Sequence, residues 1–246
     1  MAETTLSRVR KAYEQVADQL REQIFSGRLV TGQRLPREVD LAVQLGVSRP
    51  TVREALRVLA SENLIRTAKG PTGGSFVIRP TVDHISHFLT ANINLLTAAD
   101  EVSLNELLEL RESLEVPAVR LACRRRTTED LTRLQDTLPE GAGEELTTDD
   151  RFRFNKDFHE TLVGAAGNQL LVLAAQPIFA VLQTHLRRSV LSARDSRLIY
   201  DGHVRLARTI EAQDESAAEN EMRQHLADLR PLYERAWRTT RRARQV

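Results

Sequence analysis

The sequence has a single cysteine, Cys123, in 246 residues, so no disulfide can form within one chain. We therefore expect a reducing compartment such as the cytoplasm. Aromatic residues make up only 4% of the chain, and the apolar fraction of 41% is carried mostly by Leu, Ala and Val. Such residues lose little conformational freedom in a helix, so the composition favours a helical protein with a real core.

Lysine is almost absent, because 32 of the 35 basic residues are arginine. Arginine is suited to bidentate contacts with guanine, phosphate and carboxylate groups. Residues 1–80 have 13 basic and 8 acidic side chains, a net charge of +5, whereas residues 81–246 have 22 and 26, a net charge of −4. The N-terminal third therefore fits a polyanionic partner.

The chain also lacks the apolar core of a signal peptide near its N-terminus. Residues 161–186 contain no Asp, Glu, Lys or Arg and are long enough to span a bilayer. However, this stretch includes Gly167, Asn168, Gln176 and Pro177. A buried helix in a soluble bundle explains it better, and we expect no membrane partner.

The N-terminal pattern predicts helices over about 13–26, 38–45 and 49–60, followed by strands over 64–67 and 75–78. Gly46 ends the second helix, Ser48 is a good N-cap, and Pro50 lies in the first turn, where a missing N–H costs nothing. This order is typical of a winged helix-turn-helix.

All later segments read as helices, at about 82–97, 103–124, 128–138, 147–164, 168–190, 195–212 and 214–242. We therefore predict a mainly α protein. A flexible arm (1–12) precedes a winged helix-turn-helix (13–79), with its helix-turn-helix at about 38–57 and its wing at about 64–78. An all-α bundle of six to seven helices (80–246) follows.

Arg49 and Arg53 share one face of the third helix, opposite its apolar face. A recognition helix enters the major groove, where arginine binds guanine. Ser48 and Thr51 can donate to phosphates, and Lys69 and Gly70 lie at the wing tip, where the backbone can approach the minor groove. The alternative is a solvated face with these arginines paired to acidic neighbours such as Glu54.

The runs Leu35-Pro36-Arg37-Glu38-Val39-Asp40-Leu41-Ala42 and Leu45-Gly46-Val47-Ser48-Arg49-Pro50-Thr51-Val52-Arg53-Glu54-Ala55-Leu56 resemble the DNA-binding domain of the GntR family of bacterial regulators. The resemblance gives the residues above the same DNA-contacting roles. One position departs from the family, which often has a DNA-contacting Arg where this chain has Val39. Either Arg37 substitutes in part or one base contact is absent.

The C-terminal part resembles the FadR-like branch of that family, which has a helical effector domain of the FCD type. The resemblance rests on Glu109–Glu115, Phe158-His159, Gly202-His203 and Met222–Leu226. It implies a divalent transition metal, Zn or Ni, held by His159, His203 and His225. Asn155 stands where the family usually has Asp, one helical turn before His159. The alternative is a cluster of hydrogen-bonded histidines without a metal.

Arg111 lies on the inward stripe of its helix, where an unpaired charge is costly. Either Glu115, one turn on, neutralises it, or Arg111 anchors a ligand carboxylate, as the resemblance favours. His185 and Arg188 are further candidates to line the effector cavity, together with Glu115. The expected effector is a small organic acid, sugar acid or amino acid.

The resulting hypothesis is a homodimeric repressor that binds a palindromic operator in double-stranded DNA and responds to the effector. A metal-dependent hydrolase using the three histidines is the alternative. It lacks an obvious general base, because Asp157 and Glu160 flank His159 but project to other faces. We therefore expect a regulator and not an enzyme.

Overall fold

The computed structural model describes residues 10–70, 73–139, 147–186 and 192–244, without the side chains of 148–149, 185–186 and 240–244. The chain forms two compact units, Met1–Thr81 and Val82–Val246. Of the predicted arm, residues 1–9 lie outside the described residues, and Ala12 already begins the first helix.

The N-terminal unit consists of α1 (Ala12–Phe25), α2 (Glu38–Leu45), α3 (Arg49–Ser61), β1 (Ile65–Ala68) and β2 (Gly74–Val77). Gly46 adopts the left-handed conformation, φ 65°, that ends α2, and the Ser48 side chain accepts the Thr51 N–H at the start of α3. The antiparallel hairpin pairs Ile65 with Val77. Each strand lies one residue from its predicted position, and β1 begins at Ile65 because the Leu64 N–H bonds to the carbonyl of Leu59 in α3.

The core of this unit fixes the orientation of α3. Val52, Ala55 and Leu59 are fully buried on its inner face, in a cluster that includes Val16 and Leu20 of α1. Burial of such side chains stabilises the unit by about 1.5–3 kcal/mol each for the larger ones. The opposite face of α3 remains exposed.

The C-terminal unit has seven helices among its described residues: α4 (Val82–Ala98), α5 (Leu104–Arg125), α6 (Thr128–Asp136), α7 (Thr148–Ala165), α8 (Gln169–Leu186), α9 (Ala193–Glu211) and α10 (Glu215–Arg244). The predicted fold class is confirmed. The uncharged stretch 161–186 is divided between α7 and α8, and Gly167, φ 59°, lies between them. No helix in the described part of the chain is long and apolar enough to cross a membrane.

Helix α5 is the central element of this unit, since it packs against α7, α8, α9 and α10. One apolar cluster of the unit includes Val119, Phe158 and Met222, and another includes Leu108 and Trp237. The bundle also buries charged and polar side chains from α5, α7, α9 and α10, namely Arg111, Glu115, His159, His203 and His225. Burial of ionisable groups is costly unless they are paired, so these five residues form a candidate functional site.

Candidate DNA-reading helix and buried histidine site

The exposed face of α3 presents Arg49, Arg53 and Arg57 at four-residue intervals. The Arg53 guanidinium binds both carboxylate oxygens of Glu38, the shorter distance being 2.8 Å from Nη2 to Oε2. The hydrogen bond from Arg53 lowers the pKa of Glu38, and the charges of Arg49 and Arg57 act in the same direction. All three arginines therefore lie around Glu38, and Arg57 is the one that we did not single out from the sequence.

The suggested pairing of Arg53 with Glu54 is not what the structure shows, because Glu54 pairs with Arg57 at 3.0 Å and Arg53 pairs with Glu38. Glu38 lies on α2 and is brought to Arg53 by the helix-turn-helix geometry, which sequence spacing within one helix does not reveal. An exposed ion pair of this kind contributes little stability, about 0–1 kcal/mol. Arg53 can therefore exchange Glu38 for another acceptor at low cost.

The other predicted DNA-contacting residues lie on the surface of the same unit. The hydroxyl groups of Ser48 and Thr51 are 2.7 Å apart within the helix cap. Lys69 and Gly70 are exposed at the end of β1, and Gly70 has φ 107°. Arg37 is largely exposed and pairs with Asp40 at 2.9 Å, and the neighbouring Val39 is 43% exposed.

In the C-terminal unit, three histidines from three helices converge. The Nε2 atoms of His203 and His225 each lie 3.4 Å from Nε2 of His159, and each ring offers a nitrogen within 4.8 Å of the others. All three side chains are at most 3% exposed. The turn at 212–214 makes α9 and α10 neighbours and so brings His203 to His225.

Burial is the main cause that lowers the pKa of His159, His203 and His225, the last two well below the ordinary value of 6.5. The three rings are therefore neutral near pH 7. A neutral imidazole has one nitrogen with a free lone pair, and this neutral form is the one that binds a metal ion.

Glu115 determines which nitrogen of His159 is available. Its side chain is fully buried between Arg111, whose Nε donates to Oε1, and His159, whose Nδ1 lies 2.5 Å from Oε2. Burial alone raises the pKa of Glu115, but the charge of Arg111 and the hydrogen bonds from Arg111 and His159 lower it below its ordinary value. An ionised carboxylate has no proton to give, so Nδ1 of His159 donates and Nε2 faces the other histidines.

Arg111 also donates from Nη1 to the hydroxyl of Tyr233 at 2.5 Å, and its side chain is 2% exposed. Burial lowers the pKa of Arg111, but Glu115 and Tyr233 raise it above its ordinary value. The Arg111–Glu115 pair is thus present, and contact between Arg111 and a ligand stays a prediction.

A small cavity adjoins His159 and Arg111. Its volume is about 10 Å³, room for about one water molecule. The lining residues are Arg111, Asn155, Lys156, His159, Phe179, Gln183 and Tyr233. The side chain of His185 and the whole of Arg188, both predicted to line the effector cavity, lie outside the described residues.

The donor set fits a divalent transition metal. The Oδ1 atom of Asn155 is buried without a hydrogen-bond partner in the described part of the chain, although such atoms are normally satisfied. Asn155 lines the cavity one helical turn before His159. Three neutral imidazoles and an unused amide oxygen are ligands that Zn or Ni accepts.

Two residues contact the histidines although their chemistry alone does not identify them as site residues. The ring of Phe158 stacks on His203 with centroids 3.9 Å apart, and Gly202 has no side chain where a Cβ atom would overlap Nδ1 of His225. Their adjacency to His159 and His203 in the sequence is the one clue that could have indicated them.

A winged helix-turn-helix followed by a separate helical bundle is the arrangement of one class of DNA-binding regulator. The chain belongs to the GntR family. The family described as "Bacterial regulatory proteins, gntR family" matches residues 12–77, and the FCD domain matches residues 106–228. The resemblance inferred from the sequence is confirmed.

Relatives from other bacteria agree with this assignment. The transcriptional regulator LutR of Bacillus subtilis is 30% identical over 84% of this chain and 94% of its own. The Uxu operon regulator of Haemophilus influenzae is 27% identical over 90% of this chain and 82% of its own. These relatives are regulators, which supports a regulator rather than the hydrolase that we considered.

The solved structure of Streptococcus agalactiae GntR has the same fold, with a TM-score of 0.57 and 24% identity over 89% of this chain and 99% of that one. The two family matches and the relatives above show that the chain is a DNA-binding transcriptional regulator with an FCD effector domain.

Proposed function

We propose that this regulator is a repressor whose affinity for its operator is set by a small carboxylate metabolite, bound beside a divalent metal in the C-terminal unit. The observation that carries the proposal is the convergence of three neutral, buried imidazoles near Arg111 and near the Asn155 oxygen, which has no hydrogen-bond partner among the described residues. Arg111 provides a permanent positive charge, and the organic acids, sugar acids and amino acids provide a matching carboxylate.

His159, His203, His225 and Asn155 are the proposed metal ligands. A bound divalent ion would supply positive charge to a carboxylate oxygen. Because Asn155 is neutral where an aspartate would carry a negative charge, this site is more positive by one unit and attracts an anion more strongly. His185, Arg188 and Glu115 complete the proposed effector-binding set.

The small cavity links ligand binding to a change in structure. A metabolite needs more than about 10 Å³, so α5, α7, α8 and α10, which supply the cavity wall, have to move apart to admit it. Packed helices change between discrete arrangements rather than deform continuously. Effector binding therefore favours one arrangement of the bundle, and the affinity for DNA changes if the operator favours another.

In the N-terminal unit, Arg49 and Arg53 are the proposed readers of guanine in the major groove, with Arg37 compensating in part for Val39. Ser48 and Thr51 are proposed to contact phosphates, and Lys69 and Gly70 the minor groove. We propose a homodimer on a palindromic operator, because two half-sites match a two-fold axis. We propose a repressor in the cytoplasm because repression requires only that the protein occupies the operator. Activation would also require a surface that contacts the polymerase.

The metal is tested by loading the purified protein with Zn²⁺ or Ni²⁺ and measuring metal content and affinity. We expect His203→Ala to lose the ion. Asn155→Asp should bind the ion about tenfold more tightly, about 1.4 kcal/mol, because a carboxylate replaces an amide. A wild-type protein without bound metal, or equal affinity in the wild type and His203→Ala, would contradict the proposal.

A further inference from the structure

A second cavity, also lined by Arg111, lies between α5 and α10. Its volume is about 180 Å³, below the range of about 300–1,000 Å³ that drug-sized ligands need, so it suits a small ligand. Arg111 and Glu112 of α5 and Arg223, Arg230 and Tyr233 of α10 line it, together with apolar side chains of both helices. We call this cavity the arginine groove.

The arginine groove is lined by three arginines and one glutamate. Arg223 pairs with Glu112 at 2.7 Å and with Glu219 at 3.2 Å, and Arg111 pairs with Glu115, so the charges of these two arginines are balanced by carboxylates. Arg230 donates from Nη1 to the neutral amide oxygen of Asn105, at 2.9 Å. The charge of Arg230, unlike that of Arg223, is therefore not neutralised by this hydrogen bond.

Arg111 is the buried wall of the groove. It also lines the small cavity beside His159, as does Tyr233. Arg111 is therefore shared by the two cavities, and Glu115 connects it to His159. A charge in the groove would act on Arg111.

We propose that the arginine groove is a binding site for a small oxyanion with two negative charges, either a phosphate or a dicarboxylate. Arg230 and Arg223 bind it from α10, and Arg111 provides the positive charge at its base. Arginine forms bidentate, charge-assisted hydrogen bonds with both chemistries. The groove uses none of the proposed metal ligands and needs no metal, but it shares Arg111 with the proposed effector site.

The occupied groove would influence the histidine site through Arg111. An anion that competes with Glu115 for the guanidinium weakens the Arg111–Glu115 pair, and Glu115 is the hydrogen-bond acceptor of His159. By linkage, anion binding in the groove and metal binding by the histidines then change each other's affinity by the same factor.

The test is calorimetric titration of the full-length, metal-stripped protein with inorganic phosphate and, separately, with malonate. We expect binding of at least one of them, and about tenfold weaker binding in Arg230→Gln and in Arg223→Gln, because each loses a charge-assisted hydrogen bond. Arg235→Gln is the matched control. It removes an equally exposed arginine of α10 that pairs with Asp195 at 2.9 Å but does not line the groove.

Equal affinity in Arg230→Gln, Arg223→Gln and the wild type would overturn the proposal, as would an equal loss in Arg235→Gln or no binding of either anion. The variant His203→Ala separates this site from the proposed function. It should bind the anion as the wild type does, and loss of anion binding there would place the anion in the histidine cavity instead. Absence of metal binding, in contrast, refutes the metal proposal and leaves the groove unaffected.

Discussion

At the scale of single residues, Glu115 holds the buried site together. One carboxylate oxygen accepts from Arg111 and the other from His159. Removal of one partner from a buried ion pair typically costs about 3–5 kcal/mol, because the other charge is left unpaired. Substitution of Arg111 alone therefore tests stability as much as ligand binding, and changes around the histidines are more informative.

Gly202 offers such a change. We expect Gly202→Ala to weaken metal binding by about 10–100-fold, because its methyl group displaces the His225 ring from the cluster. Overpacking should also destabilise the bundle by about 1–3 kcal/mol. Metal affinity and thermal unfolding measure the two effects separately.

Gly164→Ala is the matched control, since a Cβ at this position of α7 meets no atom within 4 Å among the described residues beyond its chain neighbours and the backbone of its own helix. Alanine should leave metal affinity unchanged and stabilise the helix by up to about 1 kcal/mol. Equal metal affinity in Gly202→Ala and the wild type would show that Gly202 does not position His225.

The sequence predicted the residues whose chemistry is distinctive but not those that act through shape. His159, His203, His225 and Arg111 were singled out, and the structure brings them together. Gly202 and Tyr233 were not, because their roles depend on contacts between α9 or α5 and α10, and no spacing along one helix reveals such contacts.

At the scale of elements, α3 is the part of the molecule best prepared to read DNA. We expect Arg53→Ala to reduce specific DNA binding by about 1–3 kcal/mol without unfolding the protein. Arg53 is half-exposed and its pair with Glu38 contributes little to stability. Fluorescence anisotropy with a specific duplex and a scrambled duplex, at one salt concentration, measures the loss.

Arg124→Ala is the control for this prediction. It also removes a half-exposed arginine that pairs with one glutamate, Glu215, but it lies in the C-terminal unit. If both substitutions weaken DNA binding equally, the effect is one of overall charge, and the role of Arg53 in base recognition is refuted.

Element boundaries followed from periodicity and capping. Ser48, Ser103 and Thr127 accept backbone N–H groups at the starts of α3, α5 and α6. The helices of the C-terminal unit begin and end within two residues of prediction, apart from the predicted end at 190, which lies outside the described residues. The strands shifted by one residue because a short hairpin has little periodicity to set its register.

At the scale of the whole molecule, the sequence indicated two functional parts and the charge difference between them. It did not indicate how small the cavity beside His159 is. Cavity volume depends on how the helices pack, and side chains from four of them enclose the cavity beside His159. The sequence also gave no sign of the arginine groove, because Arg111 and Arg230 are far apart in the chain and meet only where α5 packs on α10.

The central claim is that the C-terminal site controls the affinity for DNA. A thermal-shift screen of organic, sugar and amino acids on the metal-loaded protein first identifies a ligand, because binding to the native state raises the melting temperature. An operator selected from random duplexes is then titrated with protein, with and without that acid.

We expect two chains per duplex, and we expect the acid to change the Kd for the operator by about fivefold or more, within the usual range of allosteric coupling. In His203→Ala, which should still bind the operator, we expect the acid to cause no change in Kd. An unchanged Kd in the metal-loaded wild type, despite a ligand that raises its melting temperature, would contradict the claim.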